Sequence, residues 1–254
     1  MSVVVDDVTR APVRIVTIAN ASKGNALTKP MLRALAQAMR DVPSAVRGIV
    51  LCADASSANF CTGIDLAAAA EVFATDETDV DCDPVHALER CATPTVCAVH
   101  GACVNAGFEL ALACDVVVAT RDATFRDTHA AIGIVPSWGL SVKLSRIIGV
   151  NEARAVSVFG KVLTSARARE LGLVIAHEAE PTSAVAALEE AVTMVRAMAR
   201  STPIGGAEAV KRAINDGLDI ERVRAEERRR AFAQYRAEAR VKFETFRKKT
   251  SSKL

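Results

Sequence analysis

The chain has 254 residues, half of them hydrophobic, with 32 Lys and Arg against 30 Asp and Glu. That apolar content excludes a disordered protein, and the length suits one large α/β domain or a domain with an appendage. A net charge of +2 excludes a global attraction to nucleic acid or acidic membrane, although residues 221–249 carry eleven basic and five acidic side chains.

In chain order, residues 1–7 lack the basic-then-apolar pattern of a signal peptide. Residues 13–19 are short, β-branched and apolar, which predicts a buried strand. Met31, Leu32, Leu35 and Met39 then share one helical face, with Thr28 at the N-cap and Pro30 in the first turn. Residues 46–53, 95–99 and 115–120 read as further strands, and 106–113 as a buried helix. The most apolar stretch, 96–119, is interrupted by His100, Asn105, Glu109 and Asp115, which argues against a membrane span. Recurrent strand-then-helix units predict an α/β core. A break falls at Ser201-Thr202-Pro203, where Ser201 is placed to cap and Pro203 to open another helix. After Gly217 the composition predicts a long charged helix to about Phe246. Its thin apolar seam is Val223, Phe232, Tyr235 and Phe243, facing its own domain or a neighbouring subunit. The basic tail lacks the glycine-rich or stacking aromatic pattern of an RNA binder.

Seven cysteines, odd in number and without C-x-x-C spacing, read as buried free thiols, and no His stands at a zinc-ligand interval. Ser252-Lys253-Leu254 form a peroxisomal import tripeptide after the polar Lys248-Lys249-Thr250-Ser251. The expected location is therefore a peroxisome or a glycosome-like organelle, with an import receptor as partner.

Three segments can carry chemistry. Residues 60–66, Phe-Cys-Thr-Gly-Ile-Asp-Leu, follow a strand, and a glycine there lets backbone approach a ligand; an ordinary connecting turn has the same pattern. In residues 99–115, Glu109 is a carboxylate inside an otherwise apolar run. Burial raises such a group toward the range useful for proton transfer, unless an Arg pairs with it. Residues 125–140 hold the only Trp and an Asp/His pair, Asp127 and His129, and an imidazole titrates near neutrality.

Together these segments resemble the crotonase (enoyl-CoA hydratase/isomerase) family. Ser-Lys-Gly-Asn-Ala-Leu-Thr at 22–28 is similar to its K-x-N-A-L stretch, and residues 60–66 to its F-x-x-G-x-D-L element. Val-His-Gly-Ala-Cys-Val-Asn-Ala-Gly-Phe-Glu-Leu at 99–110 resembles V-x-G-x-x-x-G-G-G-x-E-L, and residues 133–149 and 168–174 continue the match. The resemblance implies a spiral of repeated ββα units over residues 1–198, then a helical oligomerisation region over 199–254. It implies an acyl-CoA substrate, no further cofactor, no metal, and a homotrimer or homohexamer. The backbone N–H groups of Ile64 and Ala106 would hold the thioester oxygen, and Glu109 would be the first catalytic glutamate. Lys23, Ala26, Leu27, Gly63, Asp65, Leu66 and Gly107 would bind substrate. The family's second glutamate falls on His129, so His129 or Asp127 is the expected replacement. Hydration of trans-2-enoyl-CoA in fatty-acid β-oxidation is the implied activity. The alternatives are double-bond isomerisation, thioester hydrolysis, or binding of acyl-CoA or RNA with little catalysis.

Overall fold

The computed structural model describes residues 1–7, 9–73, 79–175, 180–216 and 220–234. An antiparallel pair opens it, β1 (Ser2–Asp6) and β2 (Val13–Ala19). Helix α1 (Lys29–Arg40) follows and buries Met31, Leu32, Leu35 and Met39 on the face their spacing predicts. Thr28 occupies its N-cap position, but the hydroxyl makes no capping bond.

Three ββα turns follow. The first is β3 (Gly48–Ala53), β4 (Asn59–Cys61), α2 (Ala69–Phe73) and α3 (Pro84–Arg90). The second is β5 (Thr95–Val99), β6 (Ala102–Val104) and α4 (Ala106–Ala113), and the third β7 (Val116–Ala119), β8 (Thr124–Arg126) and α5 (His129–Ile132). Each turn adds one strand to each of two sheets. The larger sheet runs β1-β2-β3-β5-β7 and the smaller begins β4-β6-β8, with β3, β5 and β7 parallel and β4, β6 and β8 parallel. This is the spiral of repeated ββα units that the resemblance implies. After α6 (Leu140–Ile148) and α7 (Val150–Ser157), β9 (Leu163–Thr164) closes the smaller sheet antiparallel to β8, and α8 (Ser165–Glu170) follows.

The larger sheet is covered on both faces, which is why every residue of β3 is buried. One face packs with α1, α3, α4 and the smaller sheet in the main core. Against the other lies α9 (Ala184–Ser201), whose Ala187, Ala191, Val192 and Val195 meet Val13, Val50, Val96 and Val118. The third strand starts at Gly48 rather than 46 because residues 43–46 form a turn. A Cβ on Gly48 would stand 2.4 Å from a Val195 methyl, so the glycine lets α9 approach.

The C-terminal helices correct two expectations. Ser201 ends α9, donating its hydroxyl to the Ala197 carbonyl at 3.0 Å, and the next helix, α10 (Gly206–Asp216), opens three residues after Pro203. Pro203 instead accepts the Gly206 N–H in the turn between them. Helix α11 (Ile220–Gln234) is described only to Gln234, so Tyr235, Phe243 and the 252–254 tripeptide lie outside the described residues. Ala231 and Phe232 are buried against Ile134, and the other buried side chains described on α11, Arg224 and Glu227, are charged; the side chain of Val223 lies outside those described. All seven cysteines are free and buried. No described helix is long and apolar enough to cross a membrane.

Candidate active site

The site follows from the smaller sheet. Cys61 of β4 is level with Cys103 of β6, and Val104 of β6 with Arg126 of β8. Three parallel strands therefore end on one edge and deliver residues 62–66, 105–109 and 127–129 side by side, at the end of parallel strands where α/β folds bind ligands. Leu27 bridges to this edge, its N–H donating to the Gly63 carbonyl and its carbonyl accepting from Asp65 N–H, both at 2.8 Å. Flanking bonds on one side turn the Ile64 N–H to the other. Ala106 is the first residue of α4, so its N–H has no partner within the helix. A Cβ on Gly63 would lie 3.9 Å from the Ala106 nitrogen, so the two loops touch. Among the described residues neither N–H has an acceptor, and both residues line a cavity of about 460 Å³.

Glu109 stands one turn into α4, 2% exposed, and lines the same cavity. Burial pushes its carboxyl up to about 7, the nearby Glu227 reinforces the rise, and His129 and the Trp138 N–H oppose it. Its Oε1 accepts the Trp138 N–H at 2.8 Å. His129 opens α5 and lines the same cavity, and its Nδ1 lies 2.6 Å from Asp127 Oδ1, which also accepts the His129 backbone N–H at 3.0 Å. This partner holds the Nδ1 proton and leaves Nε2 for the cavity. Burial alone would lower His129, but the hydrogen bond to Asp127 and the charge of Glu109 outweigh it and raise the imidazole. Burial alone would raise Asp127, but the side-chain and backbone hydrogen bonds and the charge of His129, together with the Ser157 hydroxyl, outweigh it and lower the carboxyl. The cavity thus holds a carboxyl poised near neutrality, an imidazole whose partners favour its protonated form and, among the described residues, two free backbone donors.

Residues 9–251 match the family described as Enoyl-CoA hydratase/isomerase. The chain belongs to the enoyl-CoA hydratase/isomerase, or crotonase, family. It is 41% identical over 254 residues to the Arabidopsis thaliana protein named "Probable enoyl-CoA hydratase 1, peroxisomal", covering 95% of this chain and 93% of that one. A solved enoyl-CoA hydratase/isomerase from Pseudoalteromonas atlantica T6c superposes with a TM-score of 0.84 at 26% identity, covering 98% of each chain. OdaA of Pseudomonas aeruginosa superposes with a TM-score of 0.85 at 25% identity, covering 96% of this chain and 98% of that one. The chemistry of the family is that of acyl-CoA thioesters.

Within this crotonase site the expected residues take different places. Lys23, Ala26, Ile64, Asp65, Leu66, Ala106, Glu109 and His129 all line the cavity. Lys23 is exposed, at the end of a short 3-10 turn over 21–23. Leu27, Gly63, Gly107 and Asp127 stand behind the lining. Leu27 and Gly63 shape the backbone around Ile64, whereas Gly107 faces Cys61. A Cβ on Gly107 would fall 2.6 Å from the Cys61 Cβ, so this glycine brings the start of α4 down onto β4. Sequence reasoning missed Asn105, Thr128, Ser137 and Trp138, which also line the cavity. It also missed Glu227 of α11, which accepts from the backbone N–H groups of Gly139 and Ser141 and from the Ser141 hydroxyl. Glu227 thereby secures the segment that delivers the Trp138 N–H to Glu109. No signal in spacing points to a main-chain donor or to a carboxylate 118 positions from Glu109.

Proposed function

We propose that this crotonase hydrates trans-2-enoyl-CoA to 3-hydroxyacyl-CoA in fatty-acid β-oxidation. The observation that carries the reading is the pairing of Glu109 and His129 on one cavity with the free N–H groups of Ile64 and Ala106. The two N–H groups receive the thioester oxygen and stabilise the enolate charge that forms when a nucleophile adds at Cβ. Glu109, as carboxylate, takes a proton from water while the hydroxyl bonds to Cβ. His129, protonated and held by Asp127, gives its proton to Cα. One proton passed from Glu109 back to His129 through solvent resets the site, so the net change is addition of one water. Exposed Lys23 supplies a cation for the CoA phosphates.

Product analysis by mass tests this reading. Hydration adds the mass of one water to crotonyl-CoA, isomerisation of an enoyl-CoA leaves the mass unchanged, and thioester hydrolysis releases the free CoA thiol. A pure protein that gives either of the last two products, or none, overturns the proposal.

The same proposal places the enzyme in a peroxisome or glycosome as a homotrimer or homohexamer. Ser252-Lys253-Leu254 and the name of the Arabidopsis relative support the location. Apolar side chains left exposed on the isolated chain, Phe159 at 84% and Ile204 at 83% among them, support assembly.

A further inference from the structure

Among the described residues only Asn25 and Asn105 combine a side chain with positive φ. Asn25 is explained by its buried place, its amide donating to the Asn59 carbonyl at 2.8 Å and its oxygen accepting the Asn20 N–H. Asn105 is stranger. At φ 48° and ψ −112° it lies outside the left-handed helical well that Asn tolerates, in a conformation that suits glycine. It also occupies the N-cap of α4, where an Asn side chain normally accepts from the helix's own N–H groups, yet it makes no such bond.

Its side chain is spent elsewhere. Oδ1 accepts the Thr128 N–H at 2.7 Å, and Nδ2 donates to the Thr128 hydroxyl at 2.8 Å. The backbone of Asn105 donates to the Arg126 carbonyl at 3.1 Å and accepts the Glu109 N–H at 2.9 Å. One residue is therefore bonded to Glu109 on one side and to the residue before His129 on the other, and its next neighbour is Ala106. A glycine would hold the backbone at less conformational cost and would lose only the two bonds to Thr128.

We propose that Asn105 is a positioning residue whose amide clamps the start of α4 to Thr128, and so sets Glu109, His129 and the Ala106 N–H in one geometry for proton transfer. The role rests on the hydration reading of the site. A purely structural Asn105 predicts that glycine is harmless, whereas the clamp predicts a well-folded protein with a misaligned site.

The test compares wild type with Asn105→Gly, Thr128→Ala and Thr128→Ser. Melting temperature and the kinetics of crotonyl-CoA hydration are read beside the ring-nitrogen NMR signals of His129, assigned with His129→Ala. Asn105→Gly is expected to melt no lower than wild type while kcat falls at least roughly tenfold and KM changes by less than about threefold, as for a misplaced catalytic group. Its His129 signals move, Thr128→Ala behaves likewise in smaller measure, and Thr128→Ser restores both readouts. A folded Asn105→Gly with kcat within about twofold of wild type, or with unmoved His129 signals, overturns the proposal. If Asn105→Gly fails to fold, Thr128→Ala decides by the same thresholds. A wild type that hydrates nothing overturns the hydration reading instead, and the His129 signals still decide whether the clamp exists.

Discussion

A carboxyl group raised by burial affects stability with a definite sign. Glu109 holds its proton up to about 7 in the folded chain but releases it near 4.5 when unfolded. Between those values the folded state binds more protons, so this group's contribution to stability falls as pH rises and is lost above about 7. Glu109→Gln never ionises and keeps an oxygen for the Trp138 N–H. Its stability relative to wild type is therefore expected to grow over this window, to a gain on the order of 3 kcal/mol, and then to level off. Urea midpoints at about pH 5 and about pH 8 check this, and a difference independent of pH would contradict it. His129 has the same sign, its raised imidazole stabilising at low pH and losing that effect as pH climbs through its folded value. Asp127→Asn removes the partner that holds it. The titration of His129 is expected to move down and kcat to fall by roughly 10- to 100-fold, read from NMR and from the pH profile. Glu109 was legible as a buried carboxylate because it stands inside an apolar run, although an Arg partner would have left the same pattern. His129 was legible as half of an Asp/His pair, and its place beside Glu109 only through the family resemblance. Asn105 was noticed merely as an interruption of that run, because neither its backbone angle nor its bond to Thr128 leaves a mark in spacing.

Helix α11 shows why elements resist reading from one dimension. Its alternating Arg and Glu residues suggest a solvated surface, and Arg229 and Arg230 do pair with Glu226 in solvent. Yet Arg224 and Arg228 turn inward, each reaching Asp83 Oδ2 at 3.0–3.1 Å, and Arg224 also meets Glu89 at 2.7 Å. Lys143 of α6 pairs with the same Glu89 at 2.6 Å. The partners come from α3 and its N-cap, far away in sequence, so charge pattern alone cannot choose the inward face. Asp83 is 2% exposed, and its loss takes a carboxylate from both Arg224 and Arg228 and the acceptor from the His86 N–H that starts α3. Asp83→Ala is therefore expected to cost about 3–5 kcal/mol in urea unfolding, whereas Arg230→Ala, on the exposed face, is expected to change it by less than about 1 kcal/mol. Equal effects would show that the inward pairs do not carry the packing of α11.

At the scale of the molecule, four strands of the larger sheet were legible, whereas its edge strand β1 and the smaller sheet were not. Strands β2 and β5 fall on the expected residues, and β7 is one residue shorter at each end, because buried β-branched runs of this length stand out. Strands β4, β6 and β8 have three residues each, too few for a period-two pattern. Their existence came only through the family resemblance, and they are the strands that deliver the site. The charged C-terminal region and the exposed apolar residues lead to a further expectation, that light scattering after gel filtration gives three or six times the chain mass. A monomer would contradict the proposed assembly.

The most direct test of the account is the loss of conjugated enoyl-thioester absorbance from crotonyl-CoA, followed with wild type and Glu109→Gln side by side. Rapid loss with wild type, slowed by a factor of roughly 100 or more in a folded Glu109→Gln, is the predicted result. Equal rates in the two proteins, or no loss with wild type, would contradict a hydratase built on that carboxylate.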